Sequence, residues 1–304
     1  MSASRHAALR YTAGTVPIAV IAFDFDPLLR LGDDLVVRWQ TVALAAVIAA
    51  VLLVAAWLAR RDGLRPDDLL YIVVGVVPGA VIGGRLGYAV VHLDAFSDAP
   101  LAILDPAQPG LELAAAVLGG LLSGAYVASL LGAPVARWAG LLAVPLLIAL
   151  GAGKLTMMLG GSGQGLPDGG AWATAYLGPG PWGSLAPELP SHPSQAYEGL
   201  GTLLLAVGLI VALAAGVAHR PDGRLLLAAI GGWAIVRAIA SLSWRDPAVV
   251  GPFEVGGVLA IALAIGCLAG IVAMTVRRPS SHTASGGSPV DTPAWPDPEA
   301  RPPF

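Results

Sequence analysis

Residues 191–217 read SHPSQAYEGLGTLLLAVGLIVALAAGV. Beyond Glu198 the stretch carries no charge, and it is long enough to supply the roughly 20 mostly apolar residues that a helix needs to cross a bilayer. Polar groups crowd its entrance, whereas its body is uniformly apolar. The same pattern recurs near residues 40–58, 69–92, 113–132, 139–160, 225–243 and 255–276. Counted with 195–217, seven spans are predicted. The apolar runs are continuous and do not alternate, which excludes a membrane barrel. The fold class expected is an all-α polytopic membrane protein.

Composition agrees with that reading. Hydrophobic residues make up 56% of the 304 and charged residues 12%, with a mean hydropathy of +0.74, well outside the range of soluble domains. A formal charge of -3 leaves no basic surface for nucleic acid. The single cysteine, Cys267, sits in an apolar run, so an intrachain disulfide and a cysteine metal cluster are both excluded. Neither a metal nor a cofactor is expected.

Arginine placement sets an expected orientation. Arg60, Arg61, Arg65, Arg137, Arg220, Arg224, Arg277 and Arg278 fall in connections on one side. The other side carries Arg245 with Asp94, Asp98, Asp105, Glu112, Asp168, Glu188, Asp246 and Glu254. The positive-inside rule then puts the N-terminus outside and the C-terminus in the cytoplasm, although the four arginines of the N-terminal arm oppose this. Residues 1–38 read as a retained interfacial arm, because the early apolar piece is broken by Asp24, Asp26 and Pro27. Residues 39–278 form the membrane domain, with the aromatic- and proline-rich loop 161–194 as a folded outer cover. Residues 279–304, rich in Pro, Ser, Gly and Thr, read as a disordered tail. No internal repeat is evident, which disfavours many transporter architectures.

Three cations fall inside predicted spans: Arg85 in VIGGRLGYAVV, Lys154 in ALGAGKLTMML, and Arg237 in GGWAIVRAIASL. A charged group at membrane depth costs about 2.5–3.5 kcal/mol on insertion scales, so each is a functional candidate by default. Snorkelling towards an interface, or structural pairing with Glu198, are the alternatives. Glu198 is the acid expected beside them, and one carboxylate cannot neutralise three cations. The excess positive charge predicts an anionic ligand, for which the phosphate of a phospholipid is the natural choice. An aqueous anion remains the other option. Gly83 and Gly87, and Gly120 and Gly124, have the small-xxx-small spacing of closely packed membrane helices. Pro78 is expected to free a carbonyl towards a cavity. At the entrance quoted above, His192 is expected to cap the helix, with Pro193 at its first position and Gln195 reaching back as in a capping box. Gln195 and Glu198 then share one face, one turn inside the membrane.

Four motifs, GGRLGY (83–88), HPSQAYE (192–198), FDPLLRLGDDLVVRW (25–39) and VRAIASLSWRDP (236–247), stand out along the chain. In their order and spacing over roughly residues 20–278, the chain resembles the prolipoprotein diacylglyceryl transferase family. That resemblance implies a seven-helix bacterial inner-membrane enzyme of lipoprotein biosynthesis. Such an enzyme moves the diacylglyceryl group of phosphatidylglycerol onto the lipobox cysteine thiol of a prelipoprotein and releases glycerol phosphate. Phosphatidylglycerol, a prelipoprotein and membrane lipids are the implied partners. Carried over by position, Arg85, Glu198 and Arg237 are the implied catalytic residues. Tyr88, Lys154, His192, Gln195, Trp244 and Arg245 are the implied substrate-binding residues.

The chain departs from the family pattern at several positions. Where the family has HGG in its third helix, this chain has Leu118-Gly119-Gly120. The family's GRxGNFxNGExxG is matched by Gly153–Gly165, with Lys154 at the arginine and Met157 at the first asparagine. Gln40 stands for a tyrosine and Ser241 for a glutamate. A cysteine thiol of pKa about 8.5 needs a base or a positive environment to ionise. Three expectations follow: His192 or Glu198 takes the proton, the cations lower the thiol pKa unaided, or the protein is a catalytically degenerate relative that binds phospholipid or a partner.

Overall fold

The computed structural model describes residues 20–276, apart from 33, 94–95, 97–99, 106–109 and 219–222. Arg5, Arg10, Asp94, Asp98, Arg220, Arg277, Arg278 and the tail at 279–304 lie outside the described residues, as does most of the interfacial arm.

Seven helices are long and apolar enough to cross a membrane. They are α1 (Trp39–Arg61), α2 (Pro66–Val91), α3 (Leu113–Leu130), α4 (Val135–Thr156), α5 (Ser194–Ala214), α6 (Arg224–Ser241) and α7 (Val255–Val276). Each overlaps an expected span, with ends displaced by a few residues. Large aliphatic side chains such as Leu53, Leu70, Leu122, Leu204 and Leu268 are more than half exposed around the bundle. That is the arrangement a bilayer solvent demands, with every backbone polar group satisfied inside a helix.

Connections alternate in character. Turns of a few residues join α1 to α2 and α3 to α4. Longer segments at the opposite end, 92–112, 157–193 and 242–254, join α2 to α3, α4 to α5 and α6 to α7. Because the spans alternate in direction, the end of α2, the start of α3, the end of α4, the start of α5 and the end of α6 all meet at that second end.

Two apolar cores sit along the bundle. Ala55, Ala59, Leu69, Ile72, Trp138 and Leu141 bind α1, α2 and α4 together. Leu147, Ala206, Ile230, Trp233, Ala234 and Cys267 join α4, α5, α6 and α7. The closest approach is between α2 and α3, where Gly79 and Gly119 face each other and a Cβ on either would overlap the other's carbonyl oxygen. The small-residue packing expected from the glycine spacing is therefore present, with Gly79 and Gly119 at its centre. Pro78 lies within α2 as expected but on the exposed face, so it opens no carbonyl towards an interior cavity.

The described part of the N-terminal arm is β-structure. β1 (Ile21–Phe23) is followed by a hairpin of β2 (Leu28–Leu31) and β3 (Leu35–Arg38) that leads directly into α1. β1 pairs in parallel with β4 (Thr174–Tyr176) in the long 157–193 segment, so the arm lies against the cover. The cover is folded, as expected from its aromatic residues. Phe23 stacks on Tyr176 at 5.0 Å between ring centroids, and Trp182 packs against Tyr176 at 4.8 Å and Phe25 at 5.2 Å. Trp172 is exposed and takes no part.

Adding a methyl group at Gly79 meets backbone, so Gly79→Ala is expected to lower thermal stability in detergent by about 1–3 kcal/mol, the usual range for overpacking. Gly208 has open space around its Cβ position within α5, and Gly208→Ala is expected to raise stability by about 0.5–1 kcal/mol. Thermal unfolding of both variants beside the parent protein checks the contrast.

Candidate active site

Glu198 sits one turn into α5 and is fully buried. Its Oε2 lies 2.9 Å from Lys154 Nζ, brought by the last turn of α4. Arg237, near the end of α6, donates from Nη1 to both Glu198 oxygens at 3.0 and 3.2 Å. The indole of Trp244 covers this group, with its ring centre 4.5 Å from the Arg237 guanidinium carbon and 5.5 Å from Lys154 Nζ. Four of the residues singled out by sequence, Lys154, Glu198, Arg237 and Trp244, are thus brought together.

Sequence reasoning missed a fifth member. Glu112, counted among the acids of a solvent-facing connection, is buried, and its Oε1 accepts from Arg237 Nη2 at 3.1 Å. Its Oε2 accepts from Ala115 N at 2.7 Å and caps the start of α3. The expectation that Glu198 alone faces the cations does not hold. Lys154 and Arg237 face two carboxylates, Glu198 and Glu112. A carboxylate immediately before an apolar run is an N-cap signal, and with helix alternation it would have placed Glu112 at the same end as Arg237.

Arg85 is not part of this cluster. Its guanidinium donates to the carbonyls of Ala102, Ile103, Asp105 and Gly110, at 2.8 to 3.2 Å. It pins the segment that leads into Glu112, whose own amide donates to Gly84 O. Arg85 therefore does not add its donors to those facing Glu198.

A cavity of about 330 Å³ opens beside Arg237 and Glu112, and Tyr88, His92, Trp244 and Glu254 also line it. Tyr88 stacks on His92 at 4.1 Å between ring centroids. Glu254 accepts from the amides of Gly256 and Gly257 at the head of α7, and burial raises its pKa above the ordinary carboxylate value. Ser241, at the position of the family's glutamate, bonds back to Ala238 O at 2.8 Å. A Cβ on Gly257 would overlap its hydroxyl, so α7 packs too tightly here for a longer side chain.

The remaining residues serve the cover. α5 begins at Ser194 with Pro193 at the cap position and no side-chain capping bond, so His192 is not a side-chain cap and Gln195 forms no capping box. Gln195 instead donates from Nε2 to Tyr176 Oη at 3.1 Å. Burial pushes the Tyr176 phenol up to about 12, so it stays a neutral acceptor. The tertiary partner replaced the local one because Tyr176 is carried over the helix start by the β1–β4 ladder. His192 Nδ1 lies 3.2 Å from Tyr197 Oη and 3.8 Å from Asp168 Oδ2. His192 and Tyr197 line a lateral groove of about 550 Å³ between α5 and α6, with Val236, Ile239 and Ser243. Arg245 donates to Gly165 O, Ser184 Oγ and Ser191 Oγ and so clamps the cover to the end of α6. Gly165 lies against Ser194 Oγ and Ser243 O, which accounts for a glycine there. Leu118 is exposed on α3.

Among the described residues no group of three or more His, Cys, Asp and Glu has metal-binding geometry. Chemically, the cluster offers a desolvated ammonium and a guanidinium, each on a carboxylate, under an indole roof. Such fixed positive groups stabilise negative charge that develops on a leaving group, most strongly where water is excluded.

Comparisons with known proteins match this architecture along nearly its whole length. A family model described as prolipoprotein diacylglyceryl transferase matches residues 27–274. The chain is 30% identical over 284 residues to the phosphatidylglycerol–prolipoprotein diacylglyceryl transferase of Gluconacetobacter diazotrophicus, covering 88% of this chain and 97% of that protein. It is 29% identical over 249 residues to the enzyme of the same name from Geobacter sulfurreducens, covering 78% and 91%. With the Trichormus variabilis enzyme of that name it shares 25% identity over 285 residues, covering 91% and 99%. The four motifs, the seven spans and a match over residues 27–274 agree, and the chain belongs to the prolipoprotein diacylglyceryl transferase family.

Proposed function

We propose that this protein transfers the diacylglyceryl group of phosphatidylglycerol to the cysteine thiol of a prelipoprotein, in the bacterial inner membrane with its cover on the outer side. The observation that carries the reading is the meeting of Lys154, Glu198, Arg237 and Trp244 within the apolar bundle of a family member. Arginine placement supports the orientation. Among the described residues, Arg60, Arg61, Arg65, Arg137 and Arg224 lie at the end away from the cover, against Arg245 under it and Arg30 and Arg38 in the arm before α1.

In the transfer, the thiol sulfur attacks the glycerol carbon that carries the phosphate ester. A C–S bond forms, the C–O bond breaks, and glycerol phosphate leaves. The reaction balances with the thiol proton ending on the departing phosphate, a monoester whose second pKa of about 6 releases it to water. Arg237 offers a planar fork to two phosphate oxygens, and Lys154 adds a compact positive charge. Both favour the transition state, in which charge grows on the leaving oxygen. Glu198 orients the two cations, with both of its oxygens occupied by them. That occupancy leaves His192, outside the ion cluster, as the side chain better placed to carry a proton in the lateral groove. Arg85 acts on the site through the carbonyls of Ala102, Ile103, Asp105 and Gly110 that it holds. Tyr88 and Trp244 shape the headgroup cavity, while Gln195 and Arg245 hold the cover above it.

Purified protein in lipid nanodiscs, given labelled phosphatidylglycerol and a lipobox peptide, is expected to form the thioether. Arg237→Ala and Lys154→Ala are each expected to lower kcat/KM by about 10²–10³, the usual loss for one charge-stabilising donor, and Lys154→Arg is expected to retain activity. Absence of thioether with folded parent protein would overturn the assignment. Glu198→Gln removes the carboxylate from Lys154 and leaves Arg237 with Glu112 alone, and is expected to cost about 3–5 kcal/mol of stability. Thermal unfolding measures this, and the double change Glu198→Gln with Lys154→Met is expected to recover part of the loss.

A further inference from the structure

The pairing within the cluster raises a problem for any anionic ligand. Two cations already face two carboxylates, and Asp246 and Glu254 also line the cavity, so a phosphodiester entering beside Arg237 finds both terminal guanidinium nitrogens taken unless a carboxylate yields one. The two carboxylates differ in their freedom to do so. Glu198 is fully buried on α5, with its oxygens shared between Arg237 and Lys154. Glu112 lines the 330 Å³ cavity, holds Arg237 through one oxygen at 3.1 Å, and uses its other oxygen to cap α3. The two oxygens of Glu112 thus have separate partners, one on Arg237 and one on the Ala115 amide.

We infer that Glu112 is an internal stand-in for the substrate phosphate: its carboxylate occupies Arg237 Nη2 between turnovers, yields that donor to the phosphodiester, and reclaims it as glycerol phosphate leaves. This rests on the proposed transferase function and adds to it a residue with a defined role. Carboxylate and phosphodiester are both monoanionic acceptors with paired oxygens, so either satisfies the same guanidinium edge. Holding Arg237 in this way also keeps its guanidinium from being buried with an unmatched charge while the site is empty. Ser241, against which α7 packs, leaves α3 as the source of this second carboxylate. Glu112 is a positioning residue by this account, and its effect runs opposite to that of a residue that merely aids binding.

The test compares the parent with Glu112→Gln, which keeps an oxygen for the Ala115 amide and removes the charge. Both are placed in phosphatidylcholine nanodiscs and titrated with phosphatidylglycerol, with bound lipid read by native mass spectrometry. Glu112→Gln is expected to bind phosphatidylglycerol about tenfold more tightly, equivalent to about 1.4 kcal/mol, with phosphatidylcholine retention unchanged. In a separate arm, soluble glycerol phosphate is expected to inhibit the variant at about one tenth of the concentration needed for the parent, a ratio of the same origin. In turnover, KM and kcat are both expected to fall, because product leaves more slowly. Equal or weaker phosphatidylglycerol binding by the variant overturns the inference. Inhibition by glycerol phosphate without tighter lipid binding also overturns it, since the free anion would then be the ligand. The binding arm needs no turnover, so it is read even if the parent forms no thioether, an outcome that counts against the transferase function alone. Should Glu112→Gln fold too poorly, Glu112→Asp, a strong N-cap with shorter reach, is read by the same criteria.

Discussion

The guanidinium of Arg237, held between Glu198 and Glu112, is the constraint around which the functional end of this molecule is arranged. A cation at that depth is tolerated when carboxylates packed against it offset the cost of leaving water. Those carboxylates come from α5 and from the residue that caps α3, and Lys154 adds α4 through Glu198. Four helices are therefore held in one relative position by charge as well as by packing. The apolar cores alone would tolerate more sliding, since small and aliphatic side chains make few directional demands.

The packing in turn makes the charge arrangement attainable. Glu112 reaches Arg237 because α3 lies close against α2 at Gly79 and Gly119, and because its amide bonds to Gly84 O. Arg85, one residue further along α2, fastens the carbonyls of residues 102, 103, 105 and 110 ahead of Glu112. The cover closes the other flank. Tyr176, Trp182, Phe23 and Phe25 form an aromatic stack over the start of α5, and Arg245 ties it to the end of α6. Residues that sequence alone grouped as one binding set thus divide into two kinds, those that hold the ions and those that hold the elements carrying them. Lys154 pairs with Glu198, and Arg237 draws its second carboxylate, Glu112, from another helix.

Helix existence and class were legible in the sequence because spanning a bilayer imposes a length and a uniform polarity that local composition records. For the same reason Lys154, Glu198 and Arg237 stood out: a charge within such a run has no ordinary explanation. The motifs GGRLGY and HPSQAYE carried the family for a related reason, since each holds chemistry-bearing residues at fixed spacing. What could not be read was pairing between elements distant in the chain. Glu112 and Arg237 are 125 residues apart, and nothing local distinguishes a carboxylate that caps a helix into water from one that turns inward onto an arginine. Gln195 followed the same logic, leaving its expected local bond for Tyr176 across the β1–β4 ladder.

By itself, then, the sequence determined a seven-span membrane protein of this transferase family, with three intramembrane cations that demanded partners. Only the tertiary structure decided who those partners are. It turned Arg85 onto backbone carbonyls and added Glu112 to the ion cluster, so that two cations meet two carboxylates where counting along the chain had set three cations against one. The physical reason is that the cost of burying a charge is set locally, by leaving water, whereas its compensation is set by whatever groups packing brings within about 3 Å.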